Sequence, residues 1–494
     1  MLSLFQVINL EYKNYTVFTH FQVPFSTNQQ YYLAVNDADH GIQYHHFIND
    51  AQQIVDPVLS FNNDNVSYYN RIHKDHEECI FSKESSPVEF LPNLTAYDHL
   101  QQTTLNNQIV EHFRQFGSYE TDTSGLTFAA NSTLQNDFFC QMQNGVCVPI
   151  RWELRGRSNF DSHQDYYLLE FTHFTTEVDD KYLKPMNDCK QTTPRKHHPL
   201  QFIRNNANQF QNINVLNEIN KNEHFTFKVA PNKFINNEPL QRKPKRLHEP
   251  DLPECIIDPV PLPKQLDWRI RGGVNYVQDQ VFCGSCWTFA TMGMLESRIN
   301  IMQQQNNKNE PLIKLSEQSI VDCFWDEHPA DSFLKSQGCE GGQPDYAIQW
   351  LKGLPGFALA ENYPYFGQND YCKMEKFTFN KYAIDQTCKV PKTVEALKLA
   401  LLSGPVAITV DVISSFTFYT GGVYNDPDCK SDFELLDHNV VCVGWGVDAE
   451  FGEYWIVRNS WSSNWGIDGY IYISTQNNIC GVLTDASYVT LKTK

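Results

Sequence analysis

The sequence has no run of about 20 apolar residues, the length that a helix needs to cross a bilayer, so no membrane-spanning helix is expected. Basic side chains are also scarce: 39 Lys and Arg stand against 58 Asp and Glu, a formal net charge of −19. Because phosphate binding requires a basic face, this balance argues against a nucleic-acid partner. The 494 residues, 41% of them hydrophobic, are enough for two or three globular domains.

Cysteine, by contrast, is abundant. Fourteen cysteines favour an oxidising compartment, and the Asn-X-Ser/Thr sequons at Asn14, Asn65, Asn93 and Asn131 give weak support for a secreted or lysosomal protein. Residues 1–12 are apolar but have no basic region and no clear small-residue cleavage site. They are interpreted either as a degenerate leader or as the result of a start codon placed too late.

Residues 13–184 are predicted to form a separate β-rich domain with no catalytic signature. Three of its segments alternate apolar and polar residues, as half-buried strands do: 17–23, 150–156 and 166–174. The adjacent His45 and His46 are interpreted as surface histidines. One or two disulfides are expected among four cysteines, with the pairing left open: Cys79, Cys140, Cys147 and Cys189.

Residues 185–261 are predicted to be a connector. They are rich in Asn and Gln, and they contain the basic run QRKPKR at 241–246. Five prolines then follow between Pro250 and Pro263. Such a segment packs poorly and is an easy target for proteolysis. The candidate catalytic and binding residues all lie after this connector, in the predicted domain 262–494.

Cys283 and Cys286 lie in the stretch QVFCGSCWTFA. A C-x-x-C pair can be a redox pair, half of a zinc site, or a structural cysteine next to a catalytic one. After Cys286, apolar residues recur at the spacing of one helical face: Phe289, Met292, Leu295, Ile299 and Met302. Cys286 is therefore predicted at a helix N-terminus, where the helix dipole stabilises a thiolate.

A thiolate nucleophile needs a base and a group that orients the base. His438 begins the apolar segment LDHNVVCVGWG, and Asn459 ends the next one, YWIVRNSW. The midpoint of 438 and 459 falls at 448/449, inside a polar loop. A hairpin turning there would place His438 beside Asn459 at one end of the ladder.

These segments together resemble the papain-like cysteine proteases, whose signature includes C-G-[SA]-C-[WY]. The resemblance covers about residues 262–494 and includes LPKQLDWR, LSEQSIVDC, GCEGG and NSWSSNWGIDGY. It implies an α+β fold with a helical lobe and a β-barrel-like lobe. The longer pattern is similar to the two-chain cathepsin-like proteases of insects, in which a β-rich N-terminal region and a short inhibitory segment precede the papain unit. Asn212, Leu216, Asn220 and the segment 230–236 resemble the end of that inhibitory segment.

The resemblance implies roles for individual residues. Cys286 would be the nucleophile and His438 the general acid and base, with Asn459 orienting the imidazole and Gln280 contributing to the oxyanion hole. Substrate would contact five further residues: Trp461, which also shields the His–Asn contact, Trp465 on the leaving-group side, Gly342 through its backbone, and Thr409 and Asp485 in the S2 pocket. Asp485 would accept Arg or Lys at P2 besides apolar side chains; the alternative is that Asp485 points to solvent.

The resemblance also implies three disulfides, Cys283–Cys339, Cys323–Cys372 and Cys429–Cys480. Cys442 is interpreted as an inert buried thiol, whereas Cys255 and Cys388 receive no partner from it. No cofactor and no metal are expected, because no short-spaced pair such as H-x-x-x-H accompanies the cysteines.

The function predicted is a cysteine endopeptidase made as a zymogen. It would act on proteins and peptides in a lysosome or outside the cell, and its own N-terminal domain would be retained as a second chain. Two alternatives stay open. The first is a thiol–disulfide oxidoreductase, which would leave Gln280, His438 and Asn459 without a role. The second is a catalytically inert papain fold used as a binding module, which would have no need of the catalytic residues that the sequence retains.

Overall fold

The structure is a computed structural model, and it divides the chain into two compact units, Met1–Asn208 and Gln209–Lys494. In the described part of the chain no helix is long and apolar enough to cross a membrane. The boundaries predicted at 12/13, 184/185 and 261/262 stay predictions. The residues that the structure describes are 12–22, 29–48, 54–61, 66–73, 76–82, 90–118, 133–157, 164–184, 189–191, 216, 218–222, 224–230, 252–255, 257–281, 283–306, 311–325, 336, 338–463 and 465–493.

The first unit is β-rich, as predicted, and its strands form one sheet in the order β13-β6-β5-β4-β3-β2-β1-β12-β11-β10-β9-β7, with β8 on β9. Neighbours are antiparallel except for β13 on β6. The strands are β1 Asn14–Gln22, β2 Gln29–Asp37, β3 Ile42–Ile48, β4 Ile54–Phe61, β5 Val66–His73, β6 His76–Ser82, β7 Asp98–His99, β8 Thr103–Leu105, β9 Gln108–Ser118, β10 Thr133–Gln143, β11 Val146–Arg157, β12 Gln164–Thr175 and β13 Lys190–Gln191.

The four cysteines of this unit form two disulfides, Cys79–Cys189 and Cys140–Cys147. The first joins strand β6 to the segment just before β13, and the second closes the hairpin of β10 and β11. The first link therefore secures one end of the sheet path, where β13 has a neighbour on one side only, whereas the second joins two strands that each have neighbours on both sides.

The prediction that His45 and His46 lie on the surface is wrong. Both are buried in β3, with 4% and 2% of their surface exposed. The Nδ1 atom of His46 lies 3.0 Å from the hydroxyl of Tyr44, and burial lowers the pKa of His46 to about 4. A buried imidazole with a low pKa stays neutral, so His46 is compatible with the interior of the sheet.

The second unit is built around one helix, α1 Cys286–Asn306. The spacing of apolar residues predicts this helix but only one buried face, whereas every residue from 286 to 301 is buried. A helix covered on all sides is a core element between layers rather than an amphipathic surface helix. The other helices are α2 Glu317–Cys323, α3 Pro344–Lys352, α4 Val394–Leu402 and α5 Ser414–Thr417.

The sheet of this unit has the order β14-β18-β21-β20-β19-β17-β22-β16, with β15 on β19. In the described residues this path has two ends, so the β lobe is an open sheet and not a closed barrel. Its strands are β14 Phe227–Val229, β15 Leu266–Asp267, β16 Tyr382–Lys389, β17 Val406–Val410, β18 Tyr419–Tyr424, β19 His438–Asp448, β20 Gly452–Arg458, β21 Tyr470–Ser474 and β22 Ala486–Thr493.

Part of the predicted connector packs onto this sheet. Residues 218–221 are helical, and β14 adds antiparallel to the edge strand β18. The side chain of Asn220 donates to the carbonyl of Val229 at 2.8 Å and accepts from its backbone N–H at 3.0 Å. This amide therefore ties the helical turn to the added strand. Asn212 and residues 231–236 lie outside the described residues.

A buried carboxyl group in α2 makes the stability of the second unit pH-dependent. Oδ1 of Asp322 accepts from the side chain of Gln318 and the backbone of Asp370, and Oδ2 accepts from the hydroxyl of Tyr363, all within 2.7–2.9 Å. Burial, followed by the nearby charge of Asp370, raises the pKa of Asp322 well above its usual value. The folded state therefore holds a proton that the unfolded chain releases at lower pH.

We expect this group to stabilise the fold most at acidic pH, below the ordinary Asp pKa, and to lose that contribution as pH rises through the raised pKa. Asp322→Asn keeps the volume and cannot titrate, so its loss of thermal stability between pH 4 and pH 7 should be smaller than that of the unmodified chain. The melting temperature at several pH values measures this difference. Asp385→Asn, at an exposed carboxylate, is the control, and equal pH profiles for all three proteins would rule the mechanism out.

Candidate active site

The sulfur of Cys286 lies at the very start of α1, as the sequence predicts, and the residue has no exposed surface. The neighbouring Cys283 is bonded to Cys339 and not to Cys286. A redox C-x-x-C pair must be able to close on itself, so this pairing argues against the oxidoreductase. The Sγ atom accepts a hydrogen bond from Nδ2 of Asn439 at 3.5 Å, which places the sulfur against the first residues of β19.

The hairpin predicted between 438 and 459 is formed by β19 and β20, with residues 449–451 as its turn. Nε2 of His438 lies 2.8 Å from Oδ1 of Asn459. The backbone N–H of Ser460 donates to the same oxygen at 2.8 Å, so this atom is an acceptor and Nε2 of His438 carries the proton. The other ring nitrogen, Nδ1, has no hydrogen-bond partner in the described part of the chain and is the acceptor available for a thiol proton.

Aromatic rings cover the histidine. The indole of Trp461 stacks on the imidazole of His438 with ring centroids 4.7 Å apart, and Trp465 meets Trp461 edge to face at 5.2 Å. The indole N–H of Trp465 donates to the carbonyl of Thr417 at 2.9 Å, which fixes that ring. Apolar rings exclude water from the His438–Asn459 hydrogen bond and so strengthen it.

Gln280 lies beside the hairpin and is fully buried. Its Nε2 donates one hydrogen to the carbonyl of Cys283 at 3.0 Å, while its Oε1 accepts from the hydroxyl of Ser460 at 2.7 Å. Because an amide nitrogen carries two hydrogens, one remains to donate elsewhere. Ser460 thus holds both Gln280 and Asn459, a role that sequence reasoning missed although the residue follows Asn459 directly.

Two predicted pocket residues contact each other. Oγ1 of Thr409 lies 2.9 Å from Oδ2 of Asp485, and both side chains are buried. The backbone N–H of Thr409 donates to the carbonyl of Asp485 at 2.9 Å, so the strand pairing itself fixes their separation. An acid held in this way does not lie on the open surface.

Gly342 packs directly against the indole of Trp287 in α1. A Cβ atom at this position would lie 2.5 Å from the ring, so only glycine fits without a shift. The absence of a side chain is what lets the indole approach the backbone of this residue closely.

The remaining cysteines are accounted for. The structure contains Cys283–Cys339, Cys323–Cys372 and Cys429–Cys480, the pairs that the resemblance implies. It also joins Cys255 to Cys388, which sequence reasoning could not pair. Cys286 and Cys442 form no disulfide, and burial raises the pKa of Cys442 to about 12, which fits an inert thiol. Among the described residues no cluster of three or more His, Cys, Asp or Glu could hold a metal ion.

The thiol of Cys286 lies at a helix N-terminus and contacts Asn439, the residue after His438, whose imidazole is oriented by an amide and shielded by an indole. Such a set of groups is suited to nucleophilic attack on a carbonyl. The fold and this arrangement together are those of a cysteine protease. The family model for papain family cysteine proteases matches residues 262–490.

Curated relatives agree with this match. The chain is 35% identical over 315 residues to "Digestive cysteine proteinase 1" of Homarus americanus, covering 60% of this chain and 91% of that protein. It is 41% identical over 246 residues to "Cathepsin L-like peptidase" of Aedes aegypti, covering 48% of this chain and 67% of the relative. It therefore belongs to the papain family of cysteine proteases. For "Procathepsin L" of Rattus norvegicus, at 39% identity, the matched part is 46% of this chain and 65% of the relative. A solved digestive procathepsin L 3 of Tenebrio molitor is 28% identical with a TM-score of 0.49, covering 59% of this chain and 96% of that one.

Proposed function

We propose that this chain is the zymogen of a cysteine endopeptidase. The observation that supports this most directly is the hydrogen bond between His438 and Asn459, together with the contact of Asn439, the residue after His438, with the sulfur of Cys286. Nδ1 of His438 takes the thiol proton, and the Cys286 sulfur attacks the scissile carbonyl carbon. The resulting oxyanion is held by the remaining N–H of Gln280 and the backbone N–H of Cys286.

The tetrahedral intermediate collapses when His438 gives its proton to the leaving amine, and a thioester with Cys286 remains. Water, deprotonated by the same imidazole, then attacks the thioester carbon. The acid product leaves, and the proton returns to the sulfur. The proteins named cathepsin L and digestive cysteine proteinase among the relatives support peptide bonds as the target.

This proposal is tested with a fluorogenic peptide blocked at both ends, which only an endopeptidase can cleave. The purified chain, activated at acidic pH, should hydrolyse it, and Cys286→Ala should not. Cys442→Ala, which removes the other thiol that is in no disulfide, is the matched control and should keep the activity. Hydrolysis that survives Cys286→Ala, or no hydrolysis by the unmodified chain, contradicts the proposal.

We further propose that Asp485 is the specificity acid of the S2 pocket. Its carboxylate would pair with Arg or Lys at P2, and Thr409 would orient it. Asp485→Ala is expected to lower kcat/KM for substrates with Arg at P2 by about 10- to 100-fold and to spare substrates with Leu at P2, since only the first lose a charge pair. Asp385→Ala, at an exposed site, is the control, and equal losses on both substrates would refute the assignment.

The inhibitory segment is proposed to include residues 218–230. Strand addition of β14 to β18 and the clamp of Asn220 on Val229 support a docked pro-segment, as does the relative named procathepsin L. The compartment proposed is a lysosome or the outside of the cell, since six disulfides need oxidising conditions to form.

Retention of the N-terminal domain as a second chain is proposed to depend on Cys255–Cys388. This is the only one of the six disulfides that spans the predicted domain boundary at 261/262. The backbone N–H of Lys389 also donates to the carbonyl of Pro253 at 2.9 Å, and Leu252 is buried. Cleavage after residue 255 would therefore leave the upstream chain covalently attached, whereas cleavage within 241–246, which lies outside the described residues, would not.

A foreign protease site inserted after the exposed Pro261 tests this in the inactive Cys286→Ala chain. After cleavage, denaturing electrophoresis without reductant should show one species, and reductant should release two. The double variant Cys255→Ser/Cys388→Ser is the control and should separate without reductant. If the cleaved chain that keeps Cys255 and Cys388 separates into two species without reductant, the proposed disulfide attachment is refuted.

A further inference from the structure

Asn439 is a buried polar side chain near the start of an apolar strand. It follows His438 in β19, is followed by Val440 and Val441, and has no exposed surface. Burying an amide without hydrogen-bond partners costs several kcal/mol, so this side chain is expected to have partners. Both ends of the amide are engaged: Nδ2 donates to Sγ of Cys286 at 3.5 Å, and Oδ1 accepts from Oγ1 of Thr409 at 3.0 Å.

The strand register holds this geometry. Thr409 of β17 pairs directly with Asn439 of β19 in the antiparallel ladder, so their side chains lie on the same face. Thr409 is in turn 2.9 Å from the Asp485 carboxylate through its side chain and is bonded to the same residue through its backbone. A continuous path of short polar contacts thus runs from the nucleophilic sulfur to the acid of the pocket.

The Thr409 hydroxyl has only one hydrogen to donate. Oγ1 lies 3.0 Å from Oδ1 of Asn439 and 2.9 Å from Oδ2 of Asp485, so these two acceptors share that hydrogen. When a cation pairs with the carboxylate, the hydroxyl can donate more fully to Asn439. Donation to Oδ1 polarises the amide and makes its N–H a better donor to the sulfur.

We propose that Asn439 is a positioning residue that stabilises the Cys286 thiolate through its side-chain N–H and couples that thiolate, through Thr409, to the acid Asp485. This deepens the proposed protease function and depends on it. It adds a second group beside His438 that favours the charged form of the sulfur. Through these hydrogen bonds, a P2 side chain that pairs with Asp485 would change the stability of the Cys286 thiolate as well as the affinity for substrate.

The test is the pH dependence of Cys286 alkylation by iodoacetamide in the activated enzyme, together with kcat and KM. Asn439→Ala removes a donor to the thiolate, so it should raise the apparent pKa of the Cys286 thiol by about 1 and lower kcat by about tenfold with little change in KM. Thr409→Val should shift the same pKa in the same direction by less, and Thr409→Ser, which keeps the hydroxyl, should restore it.

The coupling is tested by combining the variants. Thr409→Val should have no further effect on the thiol pKa in the Asn439→Ala background, because Thr409 acts through the amide. If Asn439→Ala lowers activity but leaves the thiol pKa unchanged, or if the two effects add fully, the proposal is overturned. If Asn439→Ala does not fold, the test is the comparison of Thr409→Val with Thr409→Ser: the first should raise the thiol pKa and the second should not, and equal pKa values would overturn the proposal. Failure of the protease function itself would appear differently, as no peptide hydrolysis by the unmodified chain.

Discussion

Replacing His438 with alanine is expected to lower kcat/KM for peptide hydrolysis by about four orders of magnitude, a rise of about 5 kcal/mol in the barrier. The imidazole both removes the proton from the Cys286 sulfur and delivers it to the leaving amine, and Asn439 can do neither because its amide does not titrate. The remaining rate would come from substrate binding and the oxyanion hole. Steady-state kinetics on the blocked peptide measures the loss.

The variant His438→Gln distinguishes a structural role of the histidine from a role in proton transfer. Glutamine can still donate to Oδ1 of Asn459 and fills most of the space, but it cannot carry a proton between sulfur and amine. Both His438 variants should therefore be inactive while remaining folded. Activity within tenfold of the unmodified enzyme in His438→Gln would mean that the histidine is structural and that another group is the base.

Lys314→Met is expected to cost about 3–5 kcal/mol of unfolding free energy, the largest stability effect that we predict. Nζ of Lys314 lies 3.0 Å from Oε2 of Glu296 and also pairs with Glu317, and both carboxylates are buried. Burial raises the pKa of Glu296, but Lys314 and Arg458 outweigh it and bring the pKa below its usual value. Removing the lysine leaves two buried acids for which Arg458, at 3.4 Å from Glu296, is the one remaining cationic partner in the described part of the chain.

Urea unfolding measures this cost, in the Cys286→Ala background to prevent self-digestion. Lys492→Met is the matched control because Lys492 pairs with Asp385 at the exposed surface, where removal should cost less than about 1 kcal/mol. Equal losses for the two variants would show that the buried group is not an ion-paired network.

The sequence predicts the local parts of this site well, because each depends on spacing along one element. The helix at Cys286 follows from its apolar period, and the turn at 449–451 follows from the polar loop between two apolar segments. The contact of His438 with Asn459 then follows from hairpin geometry. The roles of these residues in catalysis remain predictions until they are tested.

What the sequence does not predict depends on neighbours that are distant along the chain. The Cys255–Cys388 disulfide has a separation of 133 residues and no spacing signature. Burial of His45 and His46 depends on tertiary contacts such as the one with Tyr182. Asn439 has the appearance of an ordinary polar residue until β17 and α1 bring Thr409 and Cys286 to its two ends.

The most direct test of the central claim is the site of labelling by an epoxide that alkylates activated thiolates. Twelve cysteines are in disulfides, and Cys442 is held protonated by its raised pKa, so Cys286 should take the label alone, at neutral and mildly acidic pH. Peptide mass analysis should find one adduct on residue 286 in the activated enzyme and almost none in His438→Ala. No adduct in the activated enzyme, or equal labelling with and without the histidine, would contradict a thiolate–imidazolium pair.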